Sequence, residues 1–353
     1  MKTYNIAVLP GDGIGPEVTT EAINVLNALA TIDRTIHFNF TEFLWNSERY
    51  LTDGAMMPKD GLEQLTSFDA ILFGAVGDDR VPADVSIWEL ILPIRKQFQQ
   101  YINLRPIKRL NGLPSPLKND KPVDFVIVRE NAEGEYIKSG GSLYTGEEAE
   151  VAVQNTIMTK QGIERVAQFA YDYAQANGYQ KVTNATKSNV VVHTMKLWDR
   201  TVETVAANYP NIAYEKVYID TLAAQFIQRP ESYDVVVASN LFGDILSDLG
   251  SSLVGGLGLA PSANINPEKK YPSMFEAIHG SAPDIVGKGI ANPMAQIWSA
   301  GLMLDHFGRP DLYNYILQAI EAVLVAGEVL TPDLGGQATT KEVGQAIINE
   351  LKK

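Results

Sequence analysis

The chain has 353 residues; at ~150 residues per domain, that allows two domains or one large α/β domain with an insertion. Hydrophobic residues make up 45% and charged residues 20%, a balance that buries a sizeable core and argues against disorder. Lys+Arg 29 against Asp+Glu 42 gives a formal charge of −13, which disfavours nucleic acid and anionic membranes as partners, while the absence of cysteine removes disulfides, thiolate nucleophiles and iron–sulfur sites.

The opening MKTYNIAVLPGDG reads as a short β-like run ending in a turn, without the apolar stretch and cleavage site of a signal peptide. No segment reaches the roughly 18 apolar residues of a membrane helix, so the expected location is the cytoplasm. After the strand at residues 6–9, the loop 10–16 leads into a helix over about 17–30, with Pro16 suited to its first turn. Residues 70–73, 123–128 and 235–238 are short, near-continuous apolar runs of the kind found in strands covered on both faces. A further strand-like run occupies 216–219. Helical periodicity appears over 159–176, 196–208, 222–228, 293–306 and 312–326, and the alternation predicts an α/β fold with a largely parallel sheet. Residues 111–121, rich in Pro, Asn and Lys, read as an exposed connection, and GGSLYTG at 140–146 as part of a two-stranded arm.

Gly11-Asp12-Gly13-Ile14-Gly15-Pro16 stands where a dinucleotide fingerprint would, between strand and helix. Its spacing is wrong, because Pro16 takes the place of the final glycine and no acid ends a second strand at the usual distance. A glycine turn that lets a helix pack on the sheet is the better reading. In LFGDILSDL, Asp244 and Asp248 stand at i and i+4 on one helical face. Like charges so placed repel by about 0.2–0.5 kcal/mol, with nothing nearby in the sequence to offset them. A divalent cation would reverse the sign, and paired carboxylates suit hard Mg²⁺ or Mn²⁺. A solvated helix face is the bland alternative, but these acids follow a buried strand, where α/β proteins bind ligands. Asp220, at the end of the 216–219 run, is a candidate third ligand.

Arg95 in PIRKQF, Arg105 in INLRPIK and Arg129 in VIVREN recur at strand or helix ends. Converging, they would form a di- or tricarboxylate site; singly, each is more often a structural salt bridge. Lys187 in NATKSN is a candidate base and Tyr136 in RENAEGEY a candidate proton donor. His279 opens HGSAPDI, a tight loop suited to a phosphate or nucleotide, whereas His37, His193 and His306 lack ligand spacing and read as structural.

Together, NLRP, VREN-x-EGEY, ATKSN, SNLFGDILSDLG and HGSAPDI-x-GKGIANP resemble the β-decarboxylating dehydrogenases, the isocitrate/isopropylmalate dehydrogenase family, over essentially the whole chain. The likeness is greatest to its tartrate and D-malate dehydrogenase branch, through PSANINPE, QIWSAGLMLDH and the position of Trp88. The resemblance implies that Asp220, Asp244 and Asp248 bind Mg²⁺ or Mn²⁺, with a monovalent cation a possible further cofactor. It implies that Arg95, Arg105 and Arg129 hold the substrate carboxylate that is lost, that Lys187 takes the C2 hydroxyl proton, and that Tyr136 protonates the enolate. NAD would lie along His279, Gly280, Ser281, Ala282, Pro283 and Asp284 and at Asn292. Asp284 would favour NAD over NADP by accepting from the ribose hydroxyls.

The implied reaction is oxidative decarboxylation of a small 2-hydroxy dicarboxylic acid, D-malate or tartrate. Trp88 fills the space that an acid occupies in isopropylmalate enzymes, although Glu89 and Leu90 depart from the Gly-Ser usual in the tartrate/D-malate branch. The alternatives are 3-isopropylmalate dehydrogenase and a non-catalytic regulatory paralogue. The family fold implies a discontinuous large nucleotide-binding domain, residues 1–100 plus 257–353. A smaller domain, 101–256, would carry the dimer interface and the arm, with the active site in the cleft between them. It also implies a homodimer in which Lys187 and Asp220 reach the neighbouring subunit's site.

Overall fold

Apolar runs bounded by glycine, proline and asparagine form the strands of a computed structural model that describes residues 1–114, 116–117 and 122–353. The N-terminal segment supplies β1 (Lys2–Gly11), β2 (Ile36–Glu42) and β3 (Ala70–Ala75). The middle supplies β4 (Ile102–Lys108), β5 (Asp124–Glu130), β6 (Gly140–Leu143), β7 (Val151–Gln154), β8 (Lys181–Thr186), β9 (Ala213–Tyr218) and β10 (Val235–Ala238). The C-terminal segment adds β11 (Pro261–Ile265) and β12 (Ser273–Ala277). Ten of these form one sheet in the order β2-β1-β3-β12-β11-β4-β5-β10-β8-β9, and β6 and β7 pair separately as the expected arm.

The sheet is largely parallel, as predicted, but its centre is not. β11 pairs antiparallel with both β12 and β4, and β4 pairs antiparallel with β5. The sequence reading missed this seam because its strands are polar: Asn103, Arg105, Ser262, Asn264 and Glu276 are all buried there. It also missed β2, which pairs with β1 and ends in an acid, Glu42, farther from the glycine cluster than the fingerprint's usual distance. The exposed connection expected over 111–121 includes residues 115 and 118–121, which lie outside those described.

Helices cover both faces. Gly15–Ile32 buries Val18, Ala22, Val25, Leu26 and Leu29, the spacing of one helical stripe. Met294–His306 is buried along almost its whole length, from Met294 to Leu304, so its apolar residues point all round rather than to one side. No helix among the described residues is long and apolar enough to cross a membrane.

The glycine turn after β1 packs against the HGSAPDI loop. Ile14 N–H donates to the Ser281 carbonyl at 2.9 Å, and a Cβ on Gly13, whose φ is +58°, would stand 2.0 Å from that same oxygen. The N-terminus of the following helix is thus covered by backbone where a dinucleotide fingerprint would expose it to a pyrophosphate. Asp12 serves the fold: its carboxylate accepts from Ser47 N–H, Ser47 Oγ and Gly77 N–H. Gly13→Ala should therefore cost about 2 kcal/mol or more, combining a left-handed backbone with a clash against backbone. Urea unfolding checks this, and an unchanged midpoint would contradict it.

Candidate active site

Two strands and two helices bring the predicted arginines and aspartates together. Arg105 sits midway along β4 rather than at its end, whereas Arg129 is the last residue but one of β5 and Arg95 lies in the last turn of the helix Leu92–Gln97. Arg129, with only 2% of its side chain exposed, donates to Asp244 Oδ1 at 2.5 Å and to Asn240 Oδ1 at 2.8 Å. Arg105, 7% exposed, donates to the same Asp244 oxygen at 3.1 Å and to Ser247 Oγ. The helix Asn240–Leu253 approaches β5 this closely because residue 243 is glycine: a Cβ there would lie 2.6 Å from Arg129 Cβ and Cγ. The repulsion expected between Asp244 and Asp248 is thus offset from another part of the chain. Arg105 bonds Asp244 and stands 3.9 Å from Asp248. Neighbouring sequence alone could not reveal that.

The electrostatics follow from burial. Burial pulls the Arg105 guanidinium below its ordinary value, against the opposing pull of Asp244, and Arg129 shifts the same way. Burial raises Asp244, but Arg129, Arg105 and the Tyr136 hydroxyl outweigh it and hold the carboxyl below the usual range. Asp248 moves up, with burial and the Asp244 charge prevailing over Arg105 and Arg129. Tyr136 donates to Asp244 Oδ2 at 2.7 Å, and burial with that acceptor pushes its hydroxyl up to about 12. It is therefore fully protonated at neutral pH. Arg95 Nε and Arg105 Nε are buried without partners, donors free for an added carboxylate.

Lys187 follows β8 and Asp220 follows β9, and the two pair with each other at 2.9 Å, not with this cluster. That hydrogen bond holds Asp220 below the usual carboxylate range. Among the described residues of one chain, no group of three His, Asp or Glu is close enough to hold a metal ion. Asp244 and Asp248 are hard oxygen donors fit for two ligands of a Mg²⁺ or Mn²⁺ ion, with Asp220 as a third only from elsewhere.

The HGSAPDI loop fits a bound group. His279 Nε2 is buried and unpartnered, while its Nδ1 lies 3.0 Å from the Gly280 carbonyl oxygen. Burial also lowers its pKa, which favours the neutral ring. Ala282 is held at φ +44°, a strained conformation for a residue with a Cβ, and such strain clusters at ligand sites. Pro283 and Asp284 are exposed. Asn292 stands behind the loop, its amide donating to Asp333 at 3.0 Å and its oxygen accepting from Met294 N–H. Ser281 and Pro283 border a cleft of about 570 Å³ with Ser47 and residues 76–79 and 81–83. Trp88 is half-buried beside the arm.

Several supporting residues carried no signal in the sequence reading. Arg95 bonds Glu276 at 2.9 Å, and Glu276 is fixed by Asn264, which accepts from Asn103 and Asn131. Glu135 accepts from Ser239 Oγ and Leu241 N–H and so caps the aspartate-bearing helix from another segment. All but the Asn264–Glu276 bond join residues more than a hundred positions apart.

Asp244→Asn leaves two buried guanidiniums without their shared anion. The expected loss is about 2 kcal/mol, below the usual range for a fully buried pair because Asp244 keeps a third of its side chain exposed. Denaturant unfolding measures it. Beside Arg129, burial lifts Glu130 to about 7 despite N–H donors from Glu133 and Ala132. With the folded value raised from 4.5, its stabilising contribution is complete below about pH 4.5 and is lost as pH rises through 7. Glu130→Gln should flatten the pH dependence of stability in that window.

A family model described as isocitrate/isopropylmalate dehydrogenase matches residues 5–347. The chain is 50% identical to the D-malate dehydrogenase (decarboxylating) of Escherichia coli strain K12, covering 98% of each chain. It is 48% identical to the tartrate dehydrogenase/decarboxylase of Pseudomonas putida, over 99% of this chain and 98% of that one. The crystal structure of isocitrate dehydrogenase from Methylococcus capsulatus superposes with a TM-score of 0.90 at 32% identity, over 99% of this chain and 100% of that one. Matched in family, sequence and fold along nearly its full length, this chain belongs to the isocitrate/isopropylmalate dehydrogenase family.

Proposed function

We propose that this protein catalyses the NAD- and divalent-metal-dependent oxidative decarboxylation of D-malate or tartrate. The observation that carries the reading is the convergence of Arg95, Arg105 and Arg129 beside Asp244, Asp248 and Tyr136, a cationic pocket with hard-metal donors at its edge. The family uses nicotinamide cofactors and Mg²⁺ or Mn²⁺, and relatives near half identical to this chain are named for D-malate and tartrate. Those names do not favour 3-isopropylmalate. A non-catalytic paralogue would lack the lysine, tyrosine or aspartates, and all are present.

The working unit in this reading is a homodimer with shared sites. Within one chain Lys187 and Asp220 face each other, apart from the arginines. Both half-sites are rimmed by exposed apolar residues: Val190, 67% exposed, follows Lys187, and Ile245, 57% exposed, lies between the two aspartates. Apolar surface so placed suits cover by a second copy. The arm strands β6 and β7 are exposed throughout, with Leu143, Val151 and Val153 among their apolar residues and Tyr144 just beyond β6. The sheet supports the two-domain division: β1–β3, β11 and β12 come from 1–100 and 257–353, and β4–β10 from 101–256.

In the reaction, the arginines hold the departing carboxylate by forked hydrogen bonds. Asp244, Asp248 and a second copy's Asp220 would hold the metal, which would polarise the C2 oxygen and stabilise charge as CO₂ leaves. Lys187 Nζ, released from Asp220 and neutral, takes the C2 hydroxyl proton, and a bound nicotinamide would accept the hydride from C2. Tyr136 Oη, kept protonated by burial and by Asp244, gives its proton to C3. The HGSAPDI loop would hold NAD, with exposed Asp284 repelling a 2′-phosphate. The −13 charge and the absence of cysteine accord with a cytoplasmic enzyme of small anions, without a nucleic-acid or membrane partner.

NADH formation with Mn²⁺ on D-malate, tartrate, 3-isopropylmalate and isocitrate tests this. The highest kcat/KM should fall on D-malate or tartrate, and chelation should abolish it; preference for 3-isopropylmalate or metal-free turnover would contradict the reading. NADP should serve less well than NAD. Lys187→Met should lower kcat by roughly 10²–10⁴-fold, with hydride transfer lost, and Tyr136→Phe should chiefly impair protonation.

A further inference from the structure

We propose that Glu135 is a positioning residue for the protonation step, holding Tyr136 in register with the helix that carries Asp244. The inference rests on the functional reading above and extends it to a residue outside the reacting groups.

The helix Asn240–Leu253 begins without a cap of its own, since the side chain of Ser239 makes no bond to the helix N–H groups. The cap comes from a distant segment. Glu135 Oε2 accepts from Leu241 N–H and Glu135 Oε1 from Ser239 Oγ, both at 3.1 Å. The next residue, Tyr136, donates to Asp244 Oδ2 at 2.7 Å. Leu241 and Asp244 stand at i and i+3, neighbours on one side of the helix. Two consecutive residues thus grip one helical turn, the first by its backbone and the second by the Asp244 carboxylate.

The chain leading to this grip is fixed as well. Glu133 accepts from Thr159 N–H and Oγ1 and so holds the start of the helix Lys160–Ala176. Its backbone carbonyl accepts from Asn240 Nδ2 at 3.2 Å. Gly134, with φ at +84°, exchanges both backbone bonds with Ile157. Glu135 then supplies the last tie to the aspartate-bearing helix before Tyr136.

The chemistry needs that tie. Tyr136 has one hydroxyl proton, and it is given to Asp244. To protonate C3, that hydrogen bond must be exchanged. The Oη–H bond breaks, the electron pair of the enolate C2–C3 bond forms C3–H, and a phenolate remains until water returns a proton. A ring held only through its hydroxyl would lose its place at that moment. The Arg129 guanidinium lies 5.3 Å from the ring centroid, but in this reading it is engaged with substrate. The Glu135 cap does not depend on the bond that is exchanged.

The test compares Glu135→Leu, which loses both acceptors, with Glu135→Gln, which keeps one for Leu241 N–H and a polar partner for Ser239. Glu135→Leu should lower kcat on D-malate roughly 10- to 100-fold. Because protonation follows CO₂ release, KM should fall with kcat and leave kcat/KM within about threefold of wild type. The first turnover should give a burst of about one NADH per site, which also counts folded sites. Glu135→Gln should recover most of the rate. In a Tyr136→Phe background, Glu135→Leu should cost less than about twofold more, with no phenol proton left to place. Ser239→Ala, which removes one of the two bonds, should show the same pattern on a smaller scale and carries the test if the Leu variant does not fold. Wild-type kinetics in these variants, a fall in kcat/KM as large as that in kcat, or a full loss in the Phe background would overturn the proposal while the wild type stays active. A wild type that turned over neither D-malate nor tartrate would instead overturn the functional reading on which it rests.

Discussion

Two guanidinium groups buried in adjacent strands impose the constraint on which this structure turns. Arg105 and Arg129 cannot leave water without an anion, and within reach of both stands the carboxylate of Asp244. That requirement fixes the helix Asn240–Leu253 against β4 and β5, and it requires glycine at 243 so that the helix can come close enough. It also leaves guanidinium donors unused. Arg95 is matched by Glu276, Arg105 and Arg129 share Asp244, and Asp248 stands 3.9 Å from Arg105, yet Nε atoms of Arg95 and Arg105 remain without partners. In the proposed reading, those free donors are what lets a protein with 13 surplus negative charges hold a dicarboxylate.

Much of the fold could be read from apolar runs. Val235–Ala238 coincides with β10, and the helices Lys160–Ala176, Met294–His306 and Pro310–Ala326 fall within two residues of the periodic segments. The antiparallel seam could not be read this way. β4 carries Asn103, Arg105 and Pro106, and β11 begins at a proline and buries Ser262 and Asn264. These polar residues are stable there because they bond one another, a satisfaction that exists only once the strands are side by side. The last helix, Thr340–Leu351, did carry a local signal: Thr339 and Glu342 form a reciprocal capping box, and the T-x-x-E spacing is visible in the sequence.

The site was legible in its residue types and not in its arrangement. Arginines, aspartates, lysine and tyrosine stand in motifs, yet their pairings run between distant segments. The glycine cluster shows the same limit from the other side. Its resemblance to a phosphate-binding turn is local, whereas its role is tertiary: the Ser281 carbonyl occupies the helix N-terminus, and Asp12 ties the turn to Ser47 and Gly77. Lys187 and Asp220 complete the pattern, paired in one chain and set apart from the cluster they are proposed to serve.

That separation makes the account testable in one experiment. Lys187→Met and Asp244→Asn remove groups proposed to meet only across two subunits, so each variant alone should be inactive on D-malate and tartrate. Mixed under conditions that exchange subunits, they should recover roughly a quarter of wild-type activity, because half the dimers would each hold one intact site. Recovery near that level would place the active site between copies. No recovery, with mixed dimers verified by mass spectrometry, would contradict the shared site and with it the proposed arrangement of base, metal and arginines.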